Sequence, residues 1–261
     1  MTLNYYHVDA FTDKIFGGNP AIVVELDEWL DDELLQNITK ENSVDATAFF
    51  IQKEEEIELR WFTPDLELDL CGHATLATAH VLRTVNAHKN NTITFNTNSG
   101  YLHVHFKNDM YVMDLPKREP IKTELPSFIK KSLSKQPKEV LKSRDYVLIY
   151  DNEEDVKNIE IDRAFFDSEN IDPGGVIITS AGNSSDFVSR FFIPQATIFE
   201  DPVTGSAHAS LIPYWSKKLN KKDMLAIQLS ARKGELFCTD HGDRVLISGK
   251  AKTYASGDLF L

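Results

Sequence analysis

Cysteine is nearly missing from this chain of 261 residues, which has only Cys71 and Cys238. Two thiols form no disulfide framework, and the expectation is a protein of a reducing cytoplasm. Positive charge is also short. Lys and Arg number 28 against 40 Asp and Glu, for a net charge of −12. That balance repels nucleic acid and anionic lipid, so neither is expected as a partner. No apolar run approaches the ~20 residues of a membrane span. Met1-Thr2-Leu3-Asn4-Tyr5-Tyr6-His7 carries neither the basic segment nor the apolar core of a signal peptide. No P-loop and no G-x-G-x-x-G fingerprint occurs. His103 and His105 alternate on one predicted strand, but no third ligand stands at usable spacing, so no metal is expected.

What the chain does contain is organised around Glu200-Asp201-Pro202-Val203-Thr204-Gly205-Ser206-Ala207-His208. The aromatic and β-branched run Asp186 to Phe192 precedes it and reads as a strand. The apolar run Leu211-Ile212-Pro213-Tyr214-Trp215 follows as part of a helix. A strand, a glycine turn and a helix start leave several backbone N–H groups without intrahelical partners, which suits a carboxylate or phosphate.

The same layout occurs earlier. Arg60-Trp61-Phe62-Thr63-Pro64 matches Arg190-Phe191-Phe192-Ile193-Pro194 at an offset of 130, and Gly72-His73-Ala74 matches Gly205-Ser206-Ala207 at an offset of 133. Two copies at half the chain length indicate a duplicated domain rather than a solenoid. With 42% apolar residues there is core material for both. The expected boundary lies at Pro116-Lys117-Arg118-Glu119-Pro120. It gives domains of 1–116 and 117–261, the extreme C-terminal strand being a candidate to return to the first.

Between these landmarks, Phe16-Gly17-Gly18-Asn19-Pro20 reads as a turn, as do Asn152-Glu153-Glu154-Asp155 and Pro173-Gly174-Gly175. The tail from Leu225 reads as three or four short strands separated by Lys233-Gly234, His241-Gly242-Asp243 and Ser256-Gly257. Asp45 stands at the mouth of a predicted buried strand, as a turn or capping residue or as an acid/base aimed into a cleft. His73 opens the first of the two paired helices at the position that Ser206 holds in the second. His80, two turns further on, is expected to pack.

These residues point to proton transfer by side chains in a cleft between the two domains, with no metal and no cofactor. A positioned carboxylate transfers protons well when burial raises its pKa towards the working pH. Backbone N–H groups at Gly72-His73 and Gly205-Ser206 are placed to hold a substrate carboxylate. The polar groups expected there are Asp45, His73, Asp201 and Ser206, with Asn19 contributed by the glycine turn.

The Gly-Asn-Pro turn, the Arg-Trp-Phe-Thr-Pro stretch with Cys-Gly-His-Ala-Thr, and Glu-Asp-Pro-Val-Thr-Gly-Ser-Ala-His together resemble the phenazine-biosynthesis isomerase family, the PhzF-like proteins. The resemblance covers nearly the whole chain. It implies an α+β fold of two similar diaminopimelate-epimerase-like domains, each a curved, mostly antiparallel sheet around a central helix. It implies a cofactor-independent isomerase that moves a proton on a small cyclic or aromatic-precursor carboxylate, and a homodimer. Carried over residue by residue, the catalytic set is Asp45, His73, Asp201 and Ser206, and Asn19, Gly72, Ala74 and Gly205 bind substrate. Asp45 departs from the family pattern, which has a glutamate there, one methylene longer. Two alternatives stay open. One is an amino-acid racemase of the same fold, for which Cys71 offers one thiol but the matching position is Thr204. The other is a small-acid binding protein without turnover.

Overall fold

The computed structural model describes residues 1–53, 56–171 and 174–261. The chain divides into two compact units, Met1–Asp114 with Ser248–Leu261, and Leu115–Ile247. The first holds β1 (Thr2–Ala10), β2 (Asn19–Glu25), α1 (Asp32–Asn42), β3 (Ala46–Gln52), β4 (Ile57–Phe62), β5 (Glu67–Leu68), α2 (Gly72–Thr84), β6 (Thr92–Thr97) and β7 (Gly100–Lys107). Strand β8 (Met110–Pro116) carries the chain into the second. There follow β9 (Ile121–Lys122), α3 (Ser127–Ser132), β10 (Glu139–Lys142), β11 (Tyr146–Ile149), α4 (Glu153–Lys157), α5 (Arg163–Phe166), β12 (Val176–Ala181), β13 (Phe187–Phe192) and β14 (Glu200–Asp201). Then come α6 (His208–Leu219), β15 (Asp223–Gln228), β16 (Gly234–His241), β17 (Arg244–Gly249) and β18 (Ala251–Phe260). The last returns to the first unit, where it pairs antiparallel with β1.

Both units repeat one sequence of strand pairings. In the first, β1 is antiparallel to β2, β2 parallel to β3, β3 antiparallel to β4, β4 parallel to β6 and β6 antiparallel to β7. In the second, β10, β11, β12, β13, β15 and β16 repeat the same alternation. The registers also agree. Arg60 faces Phe49 and Arg190 faces Ile178 on the neighbouring strands, and the short strands β5 and β14 pair with the ends of β4 and β13. Each guanidinium then makes a two-pronged bond to the glutamate of its short strand. Arg60 donates from Nε to Glu67 Oε1 at 2.7 Å and from Nη2 to Oε2 at 2.8 Å. Arg190 does the same to Glu200, at 2.7 and 2.9 Å. The duplication read in the sequence is therefore present in the backbone and in its ion pairs.

After each short strand comes the helix that its sheet surrounds. Ten of the thirteen residues of α2 are buried and eight of the twelve of α6. Helices apolar all round belong inside a core. The side chains explain the burial. Ala74, Leu76, Ala77, Ala79, Val81 and Leu82 are small or aliphatic, and the hydroxyls of Thr75 and Thr78 are taken up by the carbonyls four residues back, at 2.6 and 2.8 Å. Pro213 sits inside α6 and has no N–H for the Ala209 carbonyl. That carbonyl accepts the Arg118 N–H at 3.0 Å instead, so the group stays satisfied.

Three local expectations change. The charged stretch 152–155 is not a turn but the start of α4, with Asn152 as N-cap accepting the Asp155 N–H at 3.0 Å. An Asn followed by three acidic residues is a helix-start signature, because both favour a helix N-terminus. Ser256-Gly257 does not separate strands but lies within β18, Gly257 standing opposite Tyr5 of β1. Of the expected 173–175 turn, Pro173 lies outside the described residues. Gly174 has φ +147, with the Arg144 carbonyl 2.7 Å from where a Cβ would stand, so only glycine fits there.

Candidate active site

In the first unit the site begins with a loop under constraint. Phe11, Phe16 and Gly18 take the left-handed backbone, at φ 61, 68 and 62. The buried carboxylate of Asp9 accepts the Phe16 N–H at 3.0 Å and holds the loop. The loop delivers Asn19 to the start of β2, fully buried. The Asn19 amide donates from Nδ2 to Asp45 Oδ2 at 3.4 Å. Asp45 directly precedes β3, where the left-handed Ser43 has closed α1. The same Oδ2 lies 3.5 Å from His73 Nε2, and these two side chains are 14% and 6% exposed. Asn19, Asp45 and His73 thus meet around one carboxylate oxygen.

Burial lowers the His73 pKa to about 3, so the ring is neutral at working pH. Cys71, the residue before α2, places Sγ 3.5 Å from His73 Nδ1 and 3.9 Å from Nε2. Near-equal distances put the sulfur beside the ring between the two nitrogens, in line with neither lone pair. Gly72 and Ala74 are buried in the first turn of α2, where backbone N–H groups lack intrahelical acceptors.

In the second unit Asp201 ends β14 and is buried. Its Oδ2 accepts the Thr204 hydroxyl at 2.5 Å. Side chains pin three carbonyls of the connection from Asp201 to Thr204. Gln228 Nε2 donates to the Asp201 carbonyl at 2.7 Å, Ser230 Oγ to that of Pro202 at 2.7 Å, and His208 Nδ1 to that of Thr204 at 2.9 Å. Gln228 Oε1 also accepts the Thr204 N–H at 2.9 Å. Burial lowers the His208 pKa to about 4, against the opposing pull of the Thr204 carbonyl, and the ring is neutral. Gly205 and Ser206 form the tight turn into α6, their carbonyls accepting from His208 and Ala209 at 3.0 and 3.2 Å.

The sequence reading did not single out Thr204, Gln228, Ser230 or His208 for this role. A usable signal was present. The 133-residue offset that pairs Ser206 with His73 also pairs Asp201 with Leu68 and Thr204 with Cys71, so the polar network belongs to the second copy alone. His80 stands apart from the site, bridging Tyr111 and Thr253 at 3.1 and 3.0 Å. His103 and His105 lie exposed on β7 against the Thr94 and Thr92 hydroxyls, and among the described residues no third ligand group joins them. No helix of the described residues is long and apolar enough to cross a membrane.

Comparison with known proteins shows the family and the fold. The model of the PhzC-PhzF family, phenazine biosynthesis-like protein, matches residues 8–257. An uncharacterized isomerase of Pseudomonas aeruginosa is 45% identical over 261 residues, covering 100% of both chains. The crystal structure of a PhzF-family phenazine biosynthesis protein from Enterococcus faecalis superimposes with a TM-score of 0.94 at 43% identity, again over 100% of both chains. A hydroxyproline epimerase from Agrobacterium vitis shares the fold, with a TM-score of 0.65 at 7% identity over 99% of this chain and 92% of that one. The α+β fold is thus that of the PhzF and epimerase-like proteins, and this chain belongs to the phenazine biosynthesis-like family.

Proposed function

We propose that this chain is a cofactor-independent isomerase that moves a proton on a small cyclic or aromatic-precursor carboxylate. Relatives at 45% and 44% identity are named as isomerases, and this supports the reaction class. The observation that carries the reading is Asp45. Its carboxylate is largely shielded from water and flanked by the Asn19 amide and the neutral His73 ring, neither of which carries a charge to neutralise it. A carboxylate held this way is placed to accept a proton from a substrate carbon as general base and to return it as general acid. In this reading Asp45 is the shuttle. His73, Asp201 and Ser206 orient the substrate, and Asn19 holds Asp45. The N–H groups of Gly72, Ala74 and Gly205 take the substrate carboxylate.

A two-thiol racemase has less support. The residue matching Cys71 is Thr204, whose hydroxyl proton is already given to Asp201. The test is deuterium uptake from D2O into a panel of cyclic and aromatic-precursor carboxylates, trans-2,3-dihydro-3-hydroxyanthranilate among them. The expected result is exchange at one ring carbon, lost in Asp45→Ala. No exchange on any ring carboxylate overturns the proposal.

A further inference from the structure

We propose that Thr204 and Gln228 are positioning residues that lock the Asp201 carboxylate in one orientation as a hydrogen-bond acceptor. This rests on the reading of Asp201 as a substrate-orienting group. The direction of every bond in the relay follows from chemistry. The Asp201 carbonyl only accepts, so the Gln228 atom at 2.7 Å from it is the amide nitrogen. The Thr204 N–H only donates, so the Gln228 atom at 2.9 Å from it is the oxygen. Two backbone groups therefore fix which way the amide points. The same amide nitrogen lies 3.3 Å from Thr204 Oγ1 and donates to it. The hydroxyl has a single proton, and with a donor behind it that proton goes forward to Asp201 Oδ2 at 2.5 Å. Gln228 is 1% exposed and Thr204 6%, so water does not compete for these bonds.

The internal duplication separates this role from folding. The first unit builds the same short strand and helix with Leu68 and Cys71 where the second has Asp201 and Thr204. It builds them without a carboxylate–hydroxyl–amide relay, so the backbone layout does not need one. What the relay adds is control of a carboxylate. An oxygen that accepts from a fixed hydroxyl cannot rotate away, and the bond favours the ionised form.

The test follows the carboxyl of Asp201 by 13C NMR, assigned by difference against Asp201→Asn. In Thr204→Val the titration midpoint of Asp201 moves up by about one pH unit, and kcat for deuterium exchange falls about 10- to 100-fold with KM changed less than threefold. Thr204→Ser, which restores a hydroxyl, returns both to within a factor of about three. Gln228→Glu, which keeps the acceptor for the Thr204 N–H but removes the donor, moves the midpoint in the same direction as Thr204→Val. An unmoved Asp201 midpoint in Thr204→Val overturns the proposal, and so does a serine variant that behaves like the valine one. The titration needs no turnover, so absence of exchange on every carboxylate would overturn the isomerase reading while the NMR still decides the relay.

Discussion

His73 Nε2 stands 3.5 Å from Asp45 Oδ2, and Asn19 Nδ2 stands 3.4 Å from that same oxygen. Both separations exceed the usual N–H···O distance of about 2.9–3.0 Å. An aspartate reaches between the two donors without closing on either. Asp45→Asn keeps the shape and removes the base, and exchange is expected to fall ~10²–10⁴-fold. Asp45→Glu adds one methylene, about 1.5 Å of reach. It closes on the donors and shifts the acid/base atom relative to a bound substrate. A shift of that size costs about 10²-fold on the native substrate. Exchange rates of the two variants on one carboxylate check both statements. Equal rates in Asp45→Asn and the unmodified protein would remove Asp45 from the chemistry.

Buried neutral histidines make stability depend on pH. Burial lowers His73 to about 3 and His208 to about 4, below the ordinary value of 6.5. Between pH 6.5 and these values the unfolded chain binds protons that the folded chain does not. Stability therefore rises with pH across that window and is lost as pH falls below 6.5. The melting temperature is expected to drop between pH 7 and pH 5. The drop should be smaller in His208→Gln, which removes one of three such rings, His80 also being lowered to about 4 by burial and by the Lys252 charge. A pH-independent melting temperature would show the rings to be protonated or exposed.

The repeated parts of the molecule and the polar residues tied to a turn or strand mouth are legible in the sequence, whereas a residue brought to the site only by strand pairing is not. Arg60 and Arg190 announced the duplication because each sits at the same place in a strand of aromatic and β-branched residues. Gly72-His73 and Gly205-Ser206 announced the two helix starts because glycine turns have strong local signals. Asp45, Asn19 and His73 were legible as separate polar points, each tied to a turn or a strand mouth. Gln228 was not, since it sits at the end of an ordinary alternating strand. Only the pairing of β15 with β13 sets it beside Thr204. Asn152 misleads because three acidic residues after it resemble a solvated turn, while the Asn cap and the dipole make them a helix start.

The two arginine clamps are chemically alike but differ in what else they hold. Arg190 adds three backbone carbonyls, of Val156, Lys157 and Ile159, at 3.2–3.3 Å, and lies over the Phe192 ring at 4.8 Å. Arg60 adds Asp32, whose side chain is 75% exposed, and lies over Trp29 and Phe62 at 5.3 and 5.1 Å. A lysine keeps the charge and loses the planar fork. Arg190→Lys is expected to cost roughly 2 kcal/mol, since it takes the donor from two part-buried carbonyls and from one glutamate oxygen. Arg60→Lys should cost about half that, because the Asp32 bond is solvent-screened. Urea unfolding of both variants measures the difference, and equal losses would mean the carbonyl bonds contribute nothing.

Gly18 sets the geometry that brings Asn19 to Asp45. It has φ +62, and a Cβ there would stand 2.0 Å from the Ala10 carbonyl oxygen and 2.8 Å from Thr12 Cγ2. Backbone oxygen cannot yield as a flexible side-chain tip does, so Gly18→Ala forces the loop to move. The expected cost is about 3 kcal/mol or more, from strain and overpacking together. Gly100 provides the control. It too has positive φ, at +100, but an added Cβ meets nothing within 4 Å. Gly100→Ala therefore incurs backbone strain alone, about 1–2 kcal/mol. The two variants also differ in function. Moving the Gly18 loop displaces Asn19, so exchange activity falls with stability, whereas Gly100→Ala lowers the melting temperature and leaves exchange intact. Loss of activity in Gly100→Ala, or its retention in Gly18→Ala, would break the link drawn between this loop and Asp45.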